Sequence, residues 1–335
     1  MGPADELPGI LLVALGAPDT LAEVPSFLSA VRGGRPTPPA MVDEFVERYR
    51  EIGGGSPLNR IGRTLARRLE ARMELGGRPV VCRYGTLHGA SSLTQGWDEL
   101  LGAGATRIVC LPWTPFYTPW GVGRYLARVR ELRRRRADRR PVVYLTGWHS
   151  APGLARAWAR RIGAASDSLA DRYGERPTLL FSAHSLPDRP VDPPQQYTDQ
   201  LDGLRAGILK ELPAHHSEMA YQSVGRADGP WLGPAVEAVA DRCLRATTAP
   251  VLLAPIGFLA DNLEILYDLD RALRRRLGVR SERLYRVPSF NADDDLVATL
   301  EAIVGPAIPN GPSGMEASVS SGAARRGAVG GIARR

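Results

Sequence analysis

The chain has 335 residues, too many for one average domain and enough for two domains or one large α/β unit. Hydrophobic residues make up 44% and charged residues 24%, the mix of a soluble globular protein, which sets a disordered chain aside. The formal net charge is +7, and Arg325, Arg326, Arg334 and Arg335 against Glu316 carry part of it, so the body is too mildly basic to argue a nucleic-acid partner.

Short apolar runs alternate with longer amphipathic ones. A strand is expected over 10–15, then helices over 22–31, 39–51 and 60–73. A strand over 79–83, a helix over 93–102, a strand over 107–111, a helix over 123–135 and a strand over 142–146 follow. The pattern restarts with a helix over 153–172, a strand over 178–182, a helix over 193–211, a strand over 218–222, a helix over 233–246 and a strand over 251–255. Helices over 261–275 and 293–304 close it. Most strand runs are continuously apolar, as in parallel strands covered on both faces. The alternation therefore means βαβ units and an α/β fold of two similar doubly wound lobes with a cleft between them.

The expected organisation is an N-terminal extension over 1–8, a first lobe over 9–150, a second over 151–308 that carries the chemistry-bearing motifs, and a disordered tail over 309–335. In the tail Gly, Ser, Ala and Arg follow one another without periodicity. Ligands of such sheets sit beyond the carboxyl ends of the strands, which puts the loops after Leu15, Leu111, Ser182 and Pro255 at the cleft mouth. Cys82, Cys110 and Cys243 are far apart in apolar or helical runs, the pattern of buried thiols in a reducing compartment. No signal-peptide pattern opens the chain and no apolar run is long enough to span a membrane, so a cytoplasmic protein is expected.

Five segments draw attention. In Phe181-Ser182-Ala183-His184-Ser185-Leu186-Pro187 an apolar strand delivers a histidine into the cleft, where it can take a proton or bind a transition metal. A histidine that merely caps the strand is the plainer alternative. In Asp261-Asn262-Leu263-Glu264-Ile265-Leu266-Tyr267-Asp268, Asp261 can cap a helix, and Asp261, Glu264 and Asp268 at i, i+3 and i+7 share one face. Such a stripe attracts divalent cations and can pass protons, although an acidic first turn also suits the helix dipole. Gln222-Ser223 with Pro230-Trp231-Leu232-Gly233-Pro234 reads as a packed loop. Gly53-Gly54-Gly55-Ser56-Pro57-Leu58 follows a helix and not a strand, so it is no dinucleotide fingerprint. Trp113, Phe116, Tyr117 and Trp120 cluster after a strand as a ligand wall, a membrane-facing lip, or core.

Taken together and in this order, Ser-Ala-His-Ser-Leu-Pro, Trp-Leu-Gly-Pro and Asp-x-Leu-Glu-x-Leu-Tyr-Asp resemble the signatures of the ferrochelatase family. Leu11–Pro18 and Gly53–Leu58 match it as well. The resemblance runs from Ile10 to Pro306. It implies two Rossmann-like lobes of the chelatase type and an enzyme of the lyase class that inserts Fe²⁺ into a porphyrin, protoporphyrin IX or coproporphyrin III, in haem biosynthesis. By motif, His184 and Glu264 become the catalytic and metal residues, Asp261 and Asp268 an acidic path, and Leu15, Arg32, Ser56, Tyr125 and Trp231 the porphyrin contacts. Arg32, Arg35 or Arg48 would pair with propionates. The expected partners are porphyrin and ferrous iron, with peripheral membrane contact at the aromatic lip left open, no nucleic acid, and a monomer or weak dimer. Beyond the iron substrate no cofactor and no iron–sulfur cluster are expected, because the clustered cysteines of some members are missing.

The chain departs from the family at three places. Asn262 stands where many members have histidine, and asparagine cannot titrate. Ala272 interrupts the acidic ridge one turn past Asp268. Leu15 stands where some bacterial members have tyrosine, which tilts the substrate slightly toward protoporphyrin. Two further functions stay open: a porphyrin- or haem-binding protein with weak catalysis, motivated by Asn262, and a chelatase for another tetrapyrrole such as sirohydrochlorin with Co²⁺.

Overall fold

The computed structural model describes residues 7–188, 194–225, 229–308 and 318–320. The first lobe is built on β1 (Pro8–Ala14), β2 (Val81–Thr86), β3 (Arg107–Pro112) and β4 (Val142–Gly147). Its helices are α1 (Val24–Val31), α2 (Pro39–Glu51), α3 (Leu58–Leu75), α4 (Leu93–Gly102) and α5 (Arg124–Arg135). The second lobe holds β5 (Thr178–His184), β6 (Ser217–Gln222), β7 (Val251–Ala254) and β8 (Leu284–Arg286). Around them lie α6 (Pro152–Tyr173), α7 (Gln195–Lys210), α8 (Val236–Ala246), α9 (Arg274–Leu277) and α10 (Asp294–Val304). Both sheets are parallel, in the orders β2-β1-β3-β4 and β6-β5-β7-β8. Helices cover each sheet on both sides, which is why strands such as β1 and β5 are apolar at nearly every position.

Two details differ from the sequence expectation. The three-residue β8, Leu-Tyr-Arg, is too short and too mixed in polarity to stand out as a run. Within the expected tail, β9 (Ser318–Ser320) lies parallel beside β4 and extends the first sheet to five strands. The backbone of an edge strand offers hydrogen bonds to any extended segment, whatever its composition. The rest of that tail, the extension over 1–6 and the expected helix start at 193 lie outside the described residues.

The lobes share one core. Ile10, Leu12 and Leu111 of the first sheet and Leu179, Phe181 and Leu252 of the second belong to a single buried cluster, joined through Trp158 and Ile162 of α6 and Leu300 and Val304 of α10. Although α10 closes the second lobe, it packs on α3 of the first, where Arg68 pairs with Asp294 at 2.7 Å and Arg72 and Arg78 both pair with Glu301. On the opposite side of the cleft, Val24, Leu28 and Tyr49 of α1 and α2 pack with Leu263 and Tyr267 of the second lobe.

Candidate functional site

Strand β5 carries Ser182, Ala183 and His184 to the cleft. Six of its seven residues are buried and the last, His184, is half-exposed. The imidazole Nδ1 lies 2.5 Å from the Ser185 carbonyl oxygen, which can only accept, so Nδ1 donates. With Nδ1 so committed, Nε2 is the ring nitrogen left to bind a metal or exchange a proton. The His184 carbonyl accepts from the Tyr197 hydroxyl at 3.2 Å, and Tyr197 rests edge-on against Phe116 of the first lobe. Beside it, Gln200 receives the Tyr117 N–H at 2.7 Å and donates to the Tyr117 carbonyl at 2.9 Å. One segment of α7 thus pins both the histidine and the loop after β3.

Glu264 and Asp268 stand on a π-helix, Glu264–Leu273, which runs on into α9. Bonding from i to i+5 widens the turn past four residues, so side chains four apart leave on one face. Its start is capped by Asn262, whose Oδ1 accepts from the Ile265 N–H at 3.0 Å. The cap is therefore Asn262 and not Asp261. Asp261 precedes the helix, and its carboxylate is held by the Ser289 hydroxyl at 2.7 Å and the Asn291 amide at 3.0 Å. The expected stripe of three carboxylates is, on the helix, the pair Glu264 and Asp268. Asp270 ties the helix back to β8 through a bidentate pair with Arg286, both contacts 2.7 Å.

The link between histidine and carboxylates comes from the end of β6. Gln222 is buried; its side chain accepts from the Ser182 hydroxyl at 2.8 Å and donates to the Glu264 carbonyl at 3.0 Å. Ser223 follows with φ +59, and its hydroxyl donates to Asp268 at 2.5 Å. A left-handed serine is uncommon, and here it turns the hydroxyl onto a carboxylate. Gly257 lets the loop after β7 close against β5, since a Cβ there would meet the Ala183 Cα at 2.7 Å. Sequence reasoning marked Gln222 and Ser223 but assigned them no role. Their place at the carboxyl end of a strand of the parallel sheet was the signal.

Electrostatics join these groups. Burial pushes the Asp268 carboxyl up to about 6, against the Ser223 hydrogen bond; the Glu264 charge adds to the rise, and Arg48 and His184 oppose it. Glu264 also helps raise Tyr49 and Tyr125, each lifted chiefly by burial, Tyr125 to about 12. The Glu264 charge is thus felt by Asp268 on its own helix and by Tyr49 and Tyr125 of the first lobe. Arg48 lies 3.7 Å from Asp268 and 2.5 Å from Glu44, with its guanidinium over the Phe45 and Tyr267 rings at 5.1 and 5.2 Å.

Leu15 is 37% exposed just past β1, the Arg32 Nε is buried without a partner, Ser56 is buried with its N–H on the Pro18 carbonyl, and Tyr125 is buried at the start of α5. Trp231 pairs antiparallel with Pro187 just past His184 and stacks on Gly225, where a Cβ would meet its ring at 2.4 Å. Ser56 and Asp261 line a cavity of about 620 Å³ between the lobes with Asp19, Arg60, Thr64 and Asn291. Of the aromatic lip, Trp113 and Phe116 are buried in the core and Trp120 is exposed, because the ring of Phe116 is spent between Tyr197 and His149. Among the described residues no three His, Cys, Asp or Glu side chains converge to hold a metal ion, and none of the helices is long and apolar enough to cross a membrane.

Two parallel-sheet lobes with a histidine at a strand end and carboxylates on the facing helix define the two-lobed chelatase class of fold. SirB from Bacillus subtilis with Fe³⁺ superposes with a TM-score of 0.56 at 10% identity, over 89% of this chain and 94% of that one. The sirohydrochlorin chelatase SirB from Bacillus subtilis subspecies spizizenii with cobalt gives 0.52 at 9%, over 88% and 92%. At such identities the likeness is one of fold. The chain belongs to the ferrochelatase family, whose model matches residues 8–307. A ferrochelatase of Thermus thermophilus is 31% identical over 90% of this chain and 99% of its own, and one of Deinococcus radiodurans 28% over 88% and 94%. A coproporphyrin III ferrochelatase of Geobacillus thermodenitrificans is 28% identical over the same shares.

Proposed function

We propose that this protein inserts Fe²⁺ into a porphyrin, protoporphyrin IX or coproporphyrin III, with His184 and Glu264 at the insertion site. The observation that carries the reading is the bridge at Gln222 and Ser223, which holds the β5 histidine and the Glu264–Asp268 face in one register. Free-base porphyrin must lose two inner protons as the metal enters. His184 commits Nδ1 to a carbonyl and leaves Nε2 for the ring, and burial pushes the Asp268 carboxyl up to about 6, so the site has groups that can take protons and release them. Two protein donors, with no third converging among the described residues, leave iron loosely held, as a metal meant for transfer must be. The ring bends at the expense of its own binding, through contacts at Leu15, Arg32, Ser56, Tyr125 and Trp231. Asp268 continues the acidic path from Glu264, whereas Asp261, held by Ser289 and Asn291, stands outside it.

The reading places the enzyme in the lyase class, in the cytoplasm, as a monomer or weak dimer. It carries no iron–sulfur centre, with the three cysteines buried and apart on β2, β3 and α8. Leu15 favours protoporphyrin, whereas a relative's name favours coproporphyrin. Anaerobic spectrophotometric insertion with each porphyrin and Fe²⁺, or Zn²⁺ in its place, tests both points. Turnover names the substrate by the faster ring. Tight binding without turnover supports a porphyrin carrier, the reading that a non-titrating cap at Asn262 favours, and binding of neither ring turns attention to sirohydrochlorin.

A further inference from the structure

One turn of α7 reaches both lobes. Tyr197 and Gln200 lie three residues apart, so they leave the helix on one side, and both are buried. The Tyr197 hydroxyl donates to the His184 carbonyl of the second lobe. Gln200 reaches the first lobe. Its Oε1 accepts from the Tyr117 N–H at 2.7 Å, and its Nε2 donates to the Tyr117 carbonyl at 2.9 Å and to the Gln196 carbonyl at 2.8 Å. An N–H only donates and a carbonyl oxygen only accepts, so the amide has a single orientation, with both of its N–H groups used. Paired bonds to the N–H and C=O of one residue copy what a neighbouring antiparallel strand would make. They fix Tyr117 in position and in rotation, where one bond would leave a pivot.

Tyr117 passes that constraint along the chain. Its hydroxyl lies 3.3 Å from the point a Gly123 Cβ would occupy. Thr118 accepts from the Gly121 N–H at 2.9 Å through its hydroxyl and from the Gly123 N–H at 3.0 Å through its carbonyl. These contacts fold Pro119–Gly123 into a single π-turn, and Tyr125 stands in the first turn of α5 behind it, where it feels the charge of Glu264. On the other side of Tyr117, the Pro115 carbonyl takes the N–H groups of Trp148 and His149, and Phe116 lies between Tyr197 and His149. Short contacts thus connect Gln200 to Tyr125 without a break. An apolar residue at 200 would fill the same space but bury the Tyr117 N–H and C=O unpaired, so packing alone does not account for the amide. We propose that Gln200 is a positioning residue that sets the spacing between Tyr125 of the first lobe and the His184–Glu264 face, and with it the fit of the ring. Tyr197, on the same turn, holds the metal side through His184. The role rests on the porphyrin reading, whereas the tether does not.

The test is Zn²⁺ insertion by the full chain with porphyrin and metal varied in turn, together with hydrogen exchange of the unliganded protein. Q200L should raise the KM for porphyrin about tenfold and leave the KM for Zn²⁺ as it is. Y197F, which keeps its ring on Phe116, should do the reverse. A residue that only stabilises the fold would lower the melting temperature and kcat and leave both KM values in place. Q200L should also exchange faster over residues 116–125 and no faster over β5. Should Q200L fail to fold, Q200E keeps the acceptor for the Tyr117 N–H but sets an oxygen against two carbonyls. Protonation restores one donor, so its KM for porphyrin, relative to the natural protein at the same pH, should fall as the pH is lowered. An unchanged KM for porphyrin in a folded variant, equal shifts in both KM values, or unchanged exchange over 116–125 overturns the proposal. Ring binding without turnover in the natural protein would refute insertion alone, and the dissociation constant from porphyrin fluorescence then takes the place of KM. Binding of neither ring would overturn the proposed role along with the insertion reading, and the exchange result would still report on the tether.

Discussion

His184 leaves β5 with Nδ1 committed to a carbonyl, and that leaves its other nitrogen for the cleft. His184→Ala should lower insertion at least a hundredfold while the melting temperature moves by no more than a few degrees, read by Zn²⁺ insertion and circular dichroism. A half-exposed side chain contributes little to stability, so a large shift would mean the residue is structural. Asp268 has a folded pKa of about 6, above the ordinary carboxylate value of 3.8. Below about pH 3 it is protonated in both folded and unfolded chains and costs nothing. As pH rises through 6 the folded chain must hold a charge that burial disfavours, and that part of its stability is lost. Asp268→Asn should therefore be more stable than the natural protein at pH 7.5, by about 3 kcal/mol at most, with the difference gone near pH 3. Ser223→Ala removes the bond that holds the pKa down, so the acid limb of the insertion rate should move to higher pH. A limb that stays in place would detach Ser223 from Asp268.

The elements show why a residue type can mislead. Asp261 and Asn262 both suit a helix start, and the backbone chose the second, since Ser289 and Asn291 already hold the first. Asn262→Ala should cost about 1 kcal/mol by urea unfolding, and Asn262→Asp should restore most of it. Asn262→His keeps a polar ring but not the cap oxygen, so it should fold with a similar loss. Gly257 marks another junction invisible along the chain. Gly257→Ala drives a Cβ into β5 at Ala183, which should destabilise by about 1–3 kcal/mol and lower turnover by displacing the neighbouring histidine. Normal turnover with lost stability would separate packing from the site.

At the scale of the whole molecule, α10 and the α1–α2 pair close the cleft from two sides. Because the lobes share one core, unfolding should be a single transition, coincident by fluorescence and circular dichroism, and two transitions would contradict that continuity. Glu301→Gln removes a carboxylate that two first-lobe arginines share, and should cost about 1 kcal/mol, less at high salt.

The sequence by itself determined the two parallel lobes, nearly every helix and strand, and the strand end that presents His184. Continuous apolar runs and 3.6-residue periodicity are local consequences of burial and can be read one segment at a time. It also placed Glu264 and Asp268 four apart, which any helix turns to one side. Only the tertiary structure decided that Asp261 is spent on Ser289 and Asn291, that Gln222 and Ser223 brace the site, that Trp120 stays out while Phe116 goes in, and that Ser318–Ser320 joins the first sheet. Each of these depends on a partner many residues away. The energy of such a contact belongs to the pair, and periodicity along one chain carries no record of which distant atom will satisfy a given donor or acceptor.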